Sequence, residues 1–183
     1  MPGIATISVE LELGWGKHDK NQYDHLSADA QREFDALNFF LSVCDGYELP
    51  VSFDVVGHLF QEDCSEPHPG PYPDGWWTAD PHTDHRTDPL FYAPEFIREI
   101  RAADVAHEIC THTYSHILCE EISDEILDRE LQTVERLYRE RDISEPTSIV
   151  TPRHQNPSYE VLRNHGIETI RTPLAEYTPP KWK

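Results

Sequence analysis

The run His107-Glu108-Ile109-Cys110-Thr111-His112-Thr113-Tyr114-Ser115-His116 holds the densest chemistry in the chain. His112 and His116 stand four residues apart, and on a helix positions i and i+4 share a face, one turn apart. Two neutral imidazoles placed that way can grip one divalent cation. Nitrogen donors suit Zn, Ni, Co or Fe(II), with Zn the first expectation. A third ligand should be a carboxylate from elsewhere, and Ile7-Ser8-Val9-Glu10-Leu11-Glu12-Leu13-Gly14-Trp15-Gly16 offers Glu10 and Glu12. On an extended strand these two point the same way, so either could be the ligand. The chain has 11 His, enough for some pairs to fall at this spacing by accident. Context selects this one: a strand-like segment, Val105 to Cys110, precedes it, an acidic helix start follows it, and hydroxyls within the run can fix the imidazole tautomers.

The elements that must position these groups alternate in type. Apolar and β-branched patterning predicts strands over 4–13, 50–57, 105–110, 147–151 and 167–171. Helical spacing predicts helices over 27–44, 93–102, 124–141 and 157–165, the first capped by Ser27 and the third by Ser123. Asp124 and Glu125 in the first turn of the third suit the helix dipole, although Ile126 stands where a full capping box would want Glu or Gln. Residues 65–91 form a long loop rich in Pro, His, Asp and Trp, read as a lid or groove wall. The stretch 178–183 shows no structural period. Strands alternating with helices predict one α/β domain over 1–183, with a parallel sheet. Its chemistry belongs at the C-terminal ends of the strands, where Glu10/Glu12, Asp54/His58, His112/His116 and Arg153/His154 all fall. No GxGxxG follows the first strand and no GxxxxGK[ST] occurs, so a nucleotide-binding reading has no support.

Composition narrows the partners. With 34 acidic against 15 basic residues, the net charge is −19. That excludes nucleic acid, whose phosphates need a basic surface. So much like charge is tolerated best where salt screens it, which points to a halophile, the alternative being an ordinary acidic enzyme. No apolar run approaches a membrane span and no signal pattern opens the chain, so a cytoplasmic protein is expected. Cys44, Cys64, Cys110 and Cys119 form no CxxC and read as buried small apolar residues, with Cys110 and Cys119 close enough to the His pair for one to lie near a metal.

These residues together resemble the polysaccharide deacetylases, the NodB-homology or carbohydrate esterase family 4 group. His107-Glu108-Ile109 with His112-Thr113-Tyr114-Ser115-His116 resembles that family's metal-binding His motif. Ser8 to Gly16 is similar to a first motif of the form S-x-D-x-E-L-x-W-G, seen in a subgroup with haloarchaeal members. Leu49 to Phe60 looks like the second barrel strand, and Ser148-Ile149-Val150-Thr151-Pro152-Arg153-His154-Gln155-Asn156 resembles the third motif. The likeness spans residues 4 to about 172. It implies a distorted (β/α) barrel and a metal-dependent hydrolase that removes an acetyl group from an N-acetylated carbohydrate or related amide. In that reading His112, His116 and Glu12 hold the metal, Glu10 is the general base and Arg153 orients it.

The departures shape the expectations. Glu10 replaces an Asp, and Leu11 stands where a second acid is usual, which leaves the choice between Glu10 and Glu12 open. Asp54 would be costly to bury unpaired, so it either faces the rim and helps the metal or pairs with an arginine. His58 is read as a hydrogen-bonding residue at the start of a loop; it, His154 and Asp54 are additional site candidates. Trp76 and Trp77, with Tyr92, could stack a sugar or simply pack the lid. Five strands fall short of the family's seven or eight, so a partial barrel is expected, truncated at the C-terminus, with an open sheet edge that favours a homo-oligomer or a completing partner chain. Two alternatives stand beside the deacetylase: a weak or inactive homologue that binds metal or glycan, and a metal-free amide hydrolase of the allantoinase-like kind.

Overall fold

Alternating residues set the strands, and helical stripes set what covers them. The computed structural model describes residues 6–65, 67–68 and 70–172. In chain order the main elements are β1 (Ser8–Leu11), α1 (Gln31–Gly46), β2 (Ser52–Val55), α2 (Pro94–Ala102), β3 (Glu108–Thr111), α3 (Asp124–Glu140), β4 (Ser148–Val150), α4 (Tyr159–Asn164) and β5 (Thr169–Arg171). Each expected strand is present and shorter than the apolar pattern suggested. Residues 4 and 5 and the stretch 178–183 lie outside the described residues. The largest shift is at α1. The chain holds a left-handed conformation at Ala30 (φ 53°), so the helix begins at Gln31. Ser27 still serves its start from further back, accepting from the Arg32 N–H at 3.2 Å. Ser123 occupies the N-cap of α3 by position but makes no side-chain capping bond.

The five strands pair in sequence order, all parallel. An unreversed order, with a helical crossover between successive strands, is the winding of a barrel rather than of a doubly wound sheet. Here it makes a half-barrel. Arg171 of β5 donates to the Ser8 hydroxyl of β1 across the concave side, joining the two edge strands. On the convex side Leu11, Phe53 and Val55 pack with Leu37 and Leu41 of α1, Phe96, Ile97 and Ile100 of α2, and Val134, Leu137 and Tyr138 of α3. Each such side chain contributes about 1.5–3 kcal/mol on burial.

The concave side is polar. The register sets Ser8, Ser52 and Glu108 in one row and Glu10, Asp54 and Cys110 in the next. Ser52 and Ser148 donate to Glu108 at 2.6 and 3.1 Å. An open groove of about 380 Å³ runs along this face. A larger hollow of about 560 Å³, lined by residues such as Val105, His107 and Thr147, lies at the opposite, N-terminal ends of β3 and β4, away from the clustered histidines. Among the described residues no helix is long and apolar enough to cross a membrane.

Candidate metal centre

β1 ends at Leu11, and Glu12 turns out of the strand with φ −117° and ψ −36°. This turn swings the Glu12 carboxylate over the sheet's C-terminal rim. Its Oε1 lies 3.1 Å from His112 Nε2 and 3.4 Å from His116 Nε2. The Gly16 position leaves room for it, since a Cβ there would fall 2.1 Å from Glu12 Oε2. Both imidazoles are buried.

The helical reading of positions 112–116 is corrected. His112 directly follows β3, and the residues after it form a turn with left-handed backbone at Thr113 (φ 63°) and His116 (φ 60°). A helix cannot propagate through those angles. The Tyr114 and Ser115 N–H groups instead donate to the Glu130 carboxylate of α3, at 2.8 and 2.7 Å. The Ser115 hydroxyl donates to the same carboxylate at 2.8 Å. The turn still sets the two rings 5.1 Å apart, centroid to centroid.

His112 Nδ1 lies 2.7 Å from the Val150 carbonyl of β4. A carbonyl only accepts, so Nδ1 carries the proton and Nε2 is turned to the centre. Metal-ligating histidines are commonly fixed this way. Burial pushes the Glu12 carboxyl up, but its bonds to His112 and His116 outweigh that and hold it well below the usual carboxylate range. Burial pushes His116 down, toward the neutral imidazole a cation needs. Two imidazole nitrogens and one carboxylate oxygen, all within 4.8 Å of one another, are a donor set that fits Zn or a similar ion.

The other expected residues fall as follows. Glu10 pairs in register with Asp54 on the concave face, with its Oε1 3.8 Å from His154 Nε2, and is not in the His112–His116 group. Arg153 pairs with Asp19 at 2.5 Å and makes no ion pair with Glu10. The cause is local: the chain bends sharply after β4, with Arg153 itself left-handed (φ 53°), and its guanidinium reaches the turn that follows β1. Cys110 and Cys119 are buried thiols outside the group, pushed up to about 12 by burial. Tyr92 is fully buried and offers no face to a sugar. Trp76 donates its indole N–H to Ser115 Oγ at 2.8 Å, and Trp77 lays its ring on His68 at 3.7 Å, so both pack the lid.

Three contributors were missed from sequence. His18 is buried with its ring 6.2 Å from that of His116. Its Nδ1 meets the Trp15 carbonyl at 2.7 Å, while Nε2 has no partner among the described residues. Burial lowers its pKa to about 4. Nothing in the spacing marks His18. Asp19 follows it and carries the Arg153 pair. Glu130 did have a signal: it is an acid inside the buried stripe Leu127, Leu131, Val134, Leu137.

Asp54, expected either to help the metal or to pair with an arginine, lies outside the His112–His116 group, with the charge of Arg171 acting on it at longer range than an ion pair. It sits inside β2, short of the rim, 2% exposed, with no ion pair and with Oδ2 unpartnered among the described residues. Burial is the largest influence and pushes its carboxyl up to about 6, opposed by the nearby His112 ring and a bond with Ser8. A raised folded pKa means full stability below the ordinary value near 3.8 and loss as the pH rises through about 6. At about 1.4 kcal/mol per pH unit, Asp54→Asn should exceed wild type by about 2–3 kcal/mol at pH 8 and by about nothing at pH 4. Urea unfolding at the two pH values checks this. An equal difference at both would show that burial of the charge is not the cause.

No protein-family model matches the sequence, and no curated protein matches it. Solved structures do. A CE4 family pseudoenzyme from Bacillus anthracis superposes with a TM-score of 0.54 at 13% identity, covering 90% of this chain and 41% of that one. A putative polysaccharide deacetylase from Mycobacterium smegmatis gives 0.53 at 18%, covering 88% and 48%. A family 4 carbohydrate esterase from Streptomyces lividans, in complex with acetate, gives 0.53 at 12%, covering 92% and 62%. The chain thus spans from 41% to 62% of the length of these structures. At these identities the likeness establishes architecture. The five parallel strands of this chain are a half-barrel with the fold of the family 4 carbohydrate esterases, the polysaccharide deacetylase or NodB fold.

Proposed function

We propose that this chain is a metal-dependent hydrolase that removes an acetyl group from an N-acetylated carbohydrate or a related amide. The observation that carries the reading is the Glu12 carboxylate set against His112 Nε2 and His116 Nε2 at the C-terminal rim of a deacetylase-type half-barrel. His112, His116 and Glu12 would hold a divalent cation, Zn first. When bound, such a cation polarises an acyl carbonyl and lowers the pKa of a water molecule. Val150 keeps the His112 tautomer that presents Nε2. Glu10, on the concave face two residues before Glu12, takes the proton of the attacking water. Trp76, half-buried at the lid and tied to Ser115, borders the space a sugar would take.

One observation favours a second reading, metal or glycan binding without turnover. Arg153, which the family resemblance assigns to orient Glu10, is held by Asp19 instead. The experiment is elemental analysis together with acetate release from an N-acetylated chito-oligosaccharide, for wild type and His112→Ala. One metal equivalent fewer in the variant, together with lost turnover, supports the hydrolase. Metal without turnover selects the second reading. A folded wild type without metal at this group overturns the metal-dependent hydrolase and leaves the metal-free amide hydrolase or an inactive glycan-binding homologue.

A further inference from the structure

A second group of donors lies beneath the lid, separate from Glu12, His112 and His116. His58, at the end of β2, converges with Cys64, His68 and Asp80 of the long loop, in the pattern H-x5-C-x3-H-x11-D. His58 Nε2 and His68 Nε2 are 3.3 Å apart, and Cys64 Sγ is 3.3 Å from His68 Nε2. Asp80 Oδ2 is 2.6 Å from His68 Nε2 and 3.4 Å from His58 Nε2. All four donor atoms lie within 4.8 Å of one another. Four ligands at zinc distances of about 2.0–2.3 Å in a tetrahedron stand about 3.3–3.6 Å apart. Three of the four separations fall in or at the edge of that range, and the fourth is a direct imidazole–carboxylate hydrogen bond.

The surroundings are built to present these atoms. His58 Nδ1 lies 3.2 Å from the Phe91 carbonyl, so it carries the proton and leaves Nε2 as a lone pair. Asp80 Oδ1 is already used, accepting from the Tyr92 hydroxyl and from the His82 N–H at 3.0 Å, which leaves Oδ2 for the centre. The His68 ring is clamped by Trp77, stacked at 3.7 Å. His68 Nε2 carries at most one proton and lies within 3.3 Å of His58 Nε2, Cys64 Sγ and Asp80 Oδ2, so these contacts compete for it. A cation satisfies all of them at once. His58 and Asp80 are buried, and this closed set of four protein ligands has no position open to substrate, which is the pattern of a structural site.

We infer that His58, Cys64, His68 and Asp80 form a structural zinc site that fastens the lid to the barrel rim. Backbone ties of the same loop include Cys64 N–H to the Thr83 carbonyl at 2.9 Å, His85 N–H to the Glu62 carbonyl at 2.9 Å and Gly14 N–H to the Leu90 carbonyl at 2.8 Å, and the Trp76 indole bonds Ser115, so zinc would add to an existing set of anchors. His58 N–H donates to the Tyr114 carbonyl at 2.8 Å, and the Tyr114 ring lies 5.5 Å from that of His58. Zinc here would therefore also brace the turn that carries His112 and His116. Sequence alone hid the group, because Cys110 and Cys119 are nearer in the chain to the obvious His pair.

The test is cobalt substitution. Protein stripped by a chelator and titrated with Co(II) should develop a near-ultraviolet thiolate-to-cobalt band. Cys64→Ala should lose that band and His112→Ala should keep it. A folded wild type without the band, or a band that survives in Cys64→Ala, overturns the proposal. A second measurement needs no variant. Zinc should slow alkylation of Cys64 in the wild-type protein roughly tenfold or more, since a coordinated thiolate is withheld from reaction. Equal rates with and without zinc, read by peptide mass spectrometry, would also overturn it.

Discussion

Glu12→Ala should weaken zinc binding at the rim by more than about 100-fold, while Glu10→Ala leaves it unchanged. Loss of a group that only orients a ligand costs ~10–100-fold in affinity. Glu12 would supply a donor atom itself, and it is the single anion of the set, so its removal leaves two neutral imidazoles for a doubly charged ion. Glu10 sits two residues earlier, inside the strand, where its carboxylate lies nearest His154 rather than the imidazole pair. Competition against a chromophoric chelator measures both variants. A Cys64→Ala background keeps the lid group from contributing. The two acids should also separate in turnover: Glu10→Ala should retain metal and lose acetate release by ~10²-fold or more, the scale of a general base. If Glu10→Ala loses the zinc and Glu12→Ala keeps it, the assignment is reversed.

What the sequence made legible follows from distance along the chain. Strands and helices are local, so alternation in Ser8–Leu11 and the apolar stripe of α3 located them, and their alternation implied the parallel sheet. The His112–His116 pair was legible as chemistry because both residues lie in one short run. Its backbone was not, because the turn exists through Glu130, a helix residue whose carboxylate takes the N–H groups a helix would have bonded internally. The Arg153–Asp19 pair spans 134 positions, and no pattern within either segment encodes it. Asp54 was correctly read as expensive, but strand register, not composition, decides whether such an acid reaches the rim. The lid group is a case of the same kind. Cys64, His68 and Asp80 lie in a loop without periodicity, and only the fold of that loop over β2 brings His58 to them.

Glu130→Ala should be the most destabilising single substitution outside the apolar core, by about 3–5 kcal/mol, because it strips the partner from two buried N–H groups and a hydroxyl at about 1–3 kcal/mol each. Glu130 is 0% exposed and accepts three bonds from two successive residues of the His turn. Ser115 Oγ in turn accepts from the Trp76 indole, so one carboxylate ties α3, the His turn and the lid together. Alanine leaves two N–H groups and a hydroxyl without partners in a dry interior. Against a total stability of about 5–15 kcal/mol such a protein should still fold at low temperature, and there a second effect becomes measurable. With Tyr114 and Ser115 released, the left-handed angles at Thr113 and His116 lose what holds them, and zinc affinity at the rim should fall as well. Glu130→Gln keeps the shape and one acceptor oxygen and should cost only about 1–2 kcal/mol, with most of the zinc affinity retained. Urea unfolding and chelator competition on the two variants separate packing from positioning. A Glu130→Ala protein within about 1 kcal/mol of wild type, or one that binds zinc as tightly, would show that the turn holds its shape without this carboxylate.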